Sequence, residues 1–176
     1  MSEEPKPEET QPETPPESLV VRRVREQVPD AILAVSESLG EETLVVRCDL
    51  LHACMAILKS DPELKFDFLA DITAVDQLYL NEQNRFVVVY HLCAYRAGRR
   101  LRVKTPLPDD DLRVASIYDL WPSADWLERE VYDMYGIVFD GHPDLRRLLM
   151  PDDFGSYPLR KDYPLHGKGE RDNFVF

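Results

Sequence analysis

The chain has 176 residues with 21 basic and 33 acidic side chains and a net charge of -12, a length that suits one domain with a real core plus appendages. That acidity argues against binding a phosphate backbone, which needs concentrated Lys and Arg. The three cysteines, Cys48, Cys54 and Cys93, lack CxxC spacing and suit reduced thiols better than a disulfide framework or a zinc or iron–sulfur site.

In chain order, residues 1–18 hold six Glu, one Lys and five Pro with almost nothing apolar. This is the composition of a disordered, solvated leader, an acidic docking arm being the weaker alternative. It is the opposite of a secretory or transit peptide, so a bacterial cytoplasmic product is expected. A short helix then opens at the capping residue Ser18, with Val21, Val24 and Val28 on one face and Pro29 beyond its end. AILAVSES and ETLVVRC, separated by LGEE, read as a strand pair. DLLHACMAILKSDP reads as an amphipathic helix capped by Asp49 and ended by Pro62.

DFLADITAV and the hairpin RFVVVYHLCAYRAGRRLRVKTPL follow. The hairpin's first arm is apolar on both faces and so central, while its second alternates Leu101 and Val103 with Arg100, Arg102 and Lys104. Its apolar run at 86–95 falls short of the ~20 residues of a membrane span and contains His91. SIYDLWPSADWLEREVYDMYG reads as two short helices, interrupted at Pro122, recapped by Ser123 and stopped by Gly136. The sum is an α+β domain over residues 19–139, with a largely antiparallel sheet, packed helices and, after it, an extended C-terminal segment over 140–176.

Local chemistry is sparse. No His pairs with another His or a Cys at metal-ligand spacing, and there is no GxGxxG, P-loop or GxSxG. His142 with Asp144, in GHPD, is the best acid–base candidate and would serve a free-standing hydrolase; a self-bonded turn is the stronger reading. Glu130 and Asp133 share a helical face, but no ExxH accompanies them, and Arg129 can pair with Asp133 at i+4.

Residues 140–176 carry seven acidic and six basic residues together with five aromatic ones, too apolar for a disordered tail. Ordering that backbone costs roughly 35 to 75 kcal/mol. Offsetting this by apolar burial alone takes roughly 1,400 to 3,000 Å². A body of 121 residues is expected to be too small to supply it, so the segment is predicted to wrap a partner protein. Arg146, Arg147, Arg160 and Lys161 would read that partner's carboxylates and carbonyls.

EREVYDMYGIVFDGHPDLRRLLMPDDFGSYPLRKDYPL, residues 128–165, closely resembles the C-terminal signature of the C subunits of proton-translocating NADH:quinone oxidoreductase, respiratory complex I. Matching positions include Glu128-Arg129-Glu130, Asp133, Met134-Tyr135-Gly136, Gly141-His142-Pro143, Leu145-Arg146-Arg147 and Pro158-Leu159-Arg160-Lys161-Asp162. LKSDPELKFDFLADITAVD and LWPSADW extend the likeness to most of residues 45–165. The resemblance implies a structural member of the hydrophilic arm with no cofactor of its own; FMN and iron–sulfur clusters belong to neighbouring subunits. It further implies a C-terminal segment running along the complex's D subunit, which forms the quinone site with the B subunit, and peripheral attachment at the cytoplasmic side of the bacterial inner membrane. The expected partner-facing residues are Glu128, Arg129, Glu130, Asp133, His142, Arg146, Arg147, Tyr157, Arg160, Lys161, Asp162 and Tyr163. The same signature would suit the equivalent subunit of a photosynthetic NDH complex, a membrane-bound hydrogenase or an F420-type dehydrogenase. The stop soon after the signature is expected to mean a chain not fused to the D subunit.

Overall fold

The computed structural model describes residues 17–80 and 83–170; most of the predicted leader, residues 1–16, and residues 171–176 lie outside them. Ser18 caps α1 (Leu19–Gln27), its hydroxyl accepting the Val21 N–H at 3.1 Å. This satisfies one of the helix's otherwise orphaned donors. Val20, Val21 and Val24 face inward. β1 (Ile32–Ser38) and β2 (Glu41–Val46) form the expected hairpin. Its turn places both Leu39 and Gly40 at positive φ, +53° and +76°, the backbone that a two-residue hairpin needs.

α2 (Leu51–Ser60) follows a 3-10 turn at Cys48–Leu50 and has no side-chain cap. The Asp49 cap predicted from the sequence is therefore not formed. Its carboxylate is taken by Arg47, at 3.0 Å from Nε and 2.7 Å from Nη2, because a charged two-point pair outcompetes a neutral backbone donor. β3 (Phe68–Asp76), β4 (Phe86–Ala94) and β5 (Arg99–Leu107) complete a five-stranded sheet in the order β1-β2-β5-β4-β3. All its pairings are antiparallel except β2 with β5. The largely antiparallel α+β prediction holds.

Alternation decides the layers. Leu44 and Val46, Leu101 and Val103, and Val88, Tyr90 and Leu92 point to one face and share a single core with Val24, Leu51, Met55, Leu58 and Val131. Arg100, Arg102 and Lys104 occupy the other face of β5. β6 (Arg113–Ala115) pairs in parallel with β7 (Val138–Asp140), flanking α3 (Ala124–Tyr135).

Only one helix forms where two were predicted. SIYDLW is a turn in which the Ile117 carbonyl accepts the Leu120 and Trp121 N–H groups. Two restraints explain it: Glu128 grips Ser116 and Ile117, and Pro122 biases Trp121 away from helix. Ser123 stands at the N-cap of α3 without a side-chain bond, whereas Gly136 ends the helix at φ +76°, as expected.

Candidate functional site

Residues 141–170, after β7, are irregular, and what gives them a course is one carboxylate. Asp133 lies on the inward face of α3 and is fully buried. Its Oδ2 accepts three successive backbone N–H groups, from Leu148 at 3.0 Å, Leu149 at 2.6 Å and Met150 at 2.8 Å. Its Oδ1 accepts Arg147 Nη1 at 2.7 Å. Burial alone would raise the Asp133 pKa, but the bonds from Met150, Leu149, Arg147 and Leu148 outweigh it and hold the carboxyl below its usual range. One turn earlier, Arg129 donates to the carbonyls of Arg146 and Arg147, both at 3.2 Å, and lies over the Trp126 ring.

A second clamp holds residues 154–163. Arg147 also reaches the Ser156 carbonyl at 3.3 Å and sits over the rings of Phe154 and Tyr157. Arg160 Nε donates to the Tyr135 carbonyl at 2.7 Å, its guanidinium stacked on Phe86 and Tyr157. Gly136 is what lets Tyr157 in: a Cβ there would stand 2.5 Å from Tyr157 Cζ and 2.8 Å from Arg160 Nη2. At the far end, buried Asp76 accepts the Lys161 N–H at 2.8 Å and Arg85 at 3.0 and 2.8 Å. Arg85 in turn bridges to Asp162 at 2.7 Å. Burial pushes Asp76 upward, and the Arg85, Lys161 and Leu78 bonds more than reverse it.

Several predicted partner-facing residues therefore face their own chain. Glu128, Arg129 and Asp133 are buried, because each meets a donor or acceptor of the segments beside α3. Arg129 bonds carbonyls rather than pairing with Asp133, and Glu130 is exposed where Asp133 is buried. Arg147, Tyr157 and Arg160 form the inner clamp, half-buried. Arg146, Lys161 and Asp162 are exposed, and Tyr163, half-buried, bonds Glu170 at 2.6 Å.

The expectation that the body is too small to hold this segment is corrected in the same way. Charged and backbone hydrogen bonds hold it, where the burial estimate counted apolar area alone. Among its described residues Phe154 is the one large apolar side chain that is buried, while Leu149, Leu159 and Leu165 are exposed by 62, 48 and 99%.

The hydrolase pair is not assembled. His142 Nδ1 accepts the Asp144 N–H at 3.1 Å, and Nε2 faces the Asp125 carbonyl at 3.2 Å. The Asp144 carboxylate turns to Arg146 at 2.9 Å, so both ring nitrogens are engaged and Asp144 does not orient the imidazole.

Glu128 is the other buried acid. It accepts Ser116 Oγ at 2.6 Å and Ile117 N at 2.8 Å. Burial drives its pKa up to about 7 against those two bonds, helped by Asp119 and Asp125. Sequence reasoning missed Asp76 and Arg85, which lie at strand ends with no motif around them, and read Gly136 only as a helix stop. Among the described residues, no group of three or more His, Cys, Asp or Glu is arranged to hold a metal ion.

Comparison with known proteins bears on the same residues. The family model of the respiratory-chain NADH dehydrogenase 30 Kd subunit matches residues 44–169. The C subunit of the NADH-quinone oxidoreductase of Citrifermentans bemidjiense is 46% identical over 147 residues, covering 84% of this chain and 89% of its own length. The protein of the same name from Roseiflexus sp. is 43% identical, covering 83% of each. Among solved structures, the trypsin-resistant fragment (1-134) of Nqo5 superposes with a TM-score of 0.61 at 37% identity, covering 70% of this chain and 97% of its own. A chain of the membrane-bound sulfane sulfur reductase, an archaeal respiratory membrane complex, superposes at 0.69 with 28% identity, covering 83% and 84%.

Proposed function

The chain belongs to the respiratory-chain NADH dehydrogenase 30 Kd subunit family, and from that premise we propose that it is a structural member of the hydrophilic arm of an NADH:quinone oxidoreductase. In this reading it carries no cofactor. Electrons pass from NADH through FMN and iron–sulfur clusters of neighbouring subunits to quinone, coupled to proton translocation. The segment after β7 lies along the complex's D subunit, which shapes the quinone site with the B subunit. Among the described residues, no helix is long and apolar enough to cross a membrane. Attachment to the cytoplasmic side of the bacterial inner membrane is then peripheral, through the complex.

The observation that carries this reading is the two-sidedness of the segment. Its polar groups are satisfied inward by Asp133, Arg129, Arg160 and Asp76, while Leu149, Leu159 and Leu165 face outward. Exposed leucines on an ordered strip are what a partner's surface covers. Arg146, Lys161 and Asp162 supply polar contacts at its rim.

Deleting the chain and purifying the remaining complex tests the proposal. NADH:quinone reductase is expected to fail to assemble. Normal assembly in its absence, with the chain itself recovered only as a free monomer, would reject it. The likeness to the sulfane sulfur reductase chain favours a second reading, the equivalent component of a related redox machine. The higher identity to quinone oxidoreductase subunits favours the first. A complex pulled out through this chain that reduces quinone with NADH decides between them.

A further inference from the structure

Away from the C-terminal segment, at the turn between β4 and β5, an open groove of about 650 Å³ runs between that turn and the loop from α2 to β3. Leu64, Ala94 and Ala97 are among its lining residues, together with four cations: Lys59, Lys65, Arg96 and Arg99. Lys59 lies over the Trp121 ring. Arg99 donates to the carbonyls of Glu63 and Leu64, which leaves its charge uncompensated. None of the four has a carboxylate in ion-pair range among the described residues. Of the two acids beside them, Glu63 is already paired with Arg23, and Asp67 accepts the Tyr95 N–H at 3.1 Å. Lys65 holds its place at φ +45°, a backbone uncommon outside Gly and Asn. A basic concavity of this kind stands out in a chain of net charge -12.

We propose that this groove is the docking site of the chain's own acidic leader, residues 1–16. Charge complementarity is the first argument. The leader carries five Glu against one Lys, and the groove offers four cations against one acid without an ion-pair partner. The point of exit is the second. The Arg23–Glu63 pair fixes α1 beside the groove rim, and Ser18, where the leader leaves, is five residues earlier, about 7.5 Å along the helix axis. Sixteen residues reach up to about 50 Å even in the extended conformation that prolines favour, so the tether spans the groove with slack. Composition is the third: Pro5, Pro7 and Pro12 are interspersed with Glu3, Glu4, Glu8, Glu9 and Glu13, which stiffens the segment that presents the carboxylates to the four cations. Tethering supplies an effective concentration in the millimolar range, enough for contacts that are individually weak. The docked leader covers a basic groove of an acidic protein, and ionic strength governs its release.

Carbodiimide coupling of carboxylates to amines in the full chain, read by mass spectrometry, tests the proposal. Leader glutamates are expected to couple preferentially to Lys65 or Lys59 at low salt. The yield should fall severalfold at about 0.5 M salt, where the screening length is only a few ångströms, and in Arg96→Glu, with the circular dichroism unchanged. Coupling spread over Lys104, Lys161 and Lys168 according to their exposure, coupling only between molecules, or indifference to Arg96→Glu in the folded chain would each overturn it.

Discussion

Asp133→Asn removes one negative charge from the point where the C-terminal segment is fastened. In the native chain a single carboxylate accepts three backbone N–H groups and one guanidinium within 2.6 to 3.0 Å. An amide keeps one acceptor oxygen and turns an NH2 group toward donors, so either the Arg147 bond or the three backbone bonds are lost, and Arg147 is left half-buried without its counter-charge. Breaking a buried pair from one side costs about 3 to 5 kcal/mol, which is roughly two to three and a half orders of magnitude in the equilibrium between held and released segment. These bonds all run from α3 to residues 147–150 and none reaches α1, α2 or the sheet, so the loss is local. Limited trypsin digestion reads it directly, since Arg146 and Arg147 become cleavable on release.

The expected result is cleavage of Asp133→Asn after Arg146 and Arg147 at least a hundredfold faster than in the parent, with sites in the sheet, and Arg160 and Lys161 in the second clamp, unchanged. Glu130→Gln, an exposed neighbour on the same helix, should behave as the parent does. The pH dependence has a definite sign. Because the Asp133 pKa is lowered in the folded chain, its contribution is fully present above the ordinary carboxylate value and is lost as pH falls through the folded one. Protection of the segment in Asp133→Asn equal to that of the parent would refute the assignment of Asp133 as the anchor.

Gly136→Ala combines a left-handed backbone at φ +76° with a Cβ 2.5 Å from the Tyr157 ring; it should destabilise by roughly 2 to 5 kcal/mol, measured by urea unfolding, and free the Arg160 clamp. Glu128 titrates in the opposite sense to Asp133. Its folded pKa of about 7 lies above the ordinary 4.5, so its contribution is complete below 4.5 and is lost as pH rises through 7, on the order of 3 kcal/mol in all. Glu128→Gln should flatten the stability profile across that window; an unchanged profile would show that Glu128 is not the group responsible. Arg146→Ala and Leu159→Glu alter exposed side chains and should leave the isolated chain within about 0.5 kcal/mol of the parent. Both should lower co-purification with the neighbouring subunits, and full recovery of the complex with both variants would count against the outward-facing surface.

The sheet was legible because alternation has a single physical cause. Leu101 and Val103 between Arg100, Arg102 and Lys104 can lie only with one face in the core. The charges on α3 misled for a related reason. Glu128, Arg129 and Asp133 read as a solvated or partner-facing surface since charged residues are rarely buried without partners. Their partners, Ser116 on one side and residues 146–150 on the other, come from segments with no periodicity to announce where they will lie. The second clamp was harder still, because Asp76 and Lys161 stand 85 positions apart and nothing near either of them in sequence points to the other. Local pattern fixes what a helix or strand buries, whereas a buried ion pair needs knowledge of which distant chain arrives beside it.

The same pairing explains how a segment without helix or strand can be useful as an interface. A tail that orders only on docking loses conformational entropy at that moment, and this weakens binding for a given contact area. Here the ordering is offset within the chain by Asp133, Arg147, Arg160 and Asp76, so the cost is met before any neighbour arrives. The exposed parts of Leu149, Leu159 and Leu165 amount to about two whole leucine side chains, worth roughly 3 to 6 kcal/mol when covered. A floating tail would lose most of that to ordering, whereas a pre-ordered strip keeps it as affinity. It follows that loosening the inner clamp should weaken assembly even though the clamp's hydrogen bonds are made within the chain.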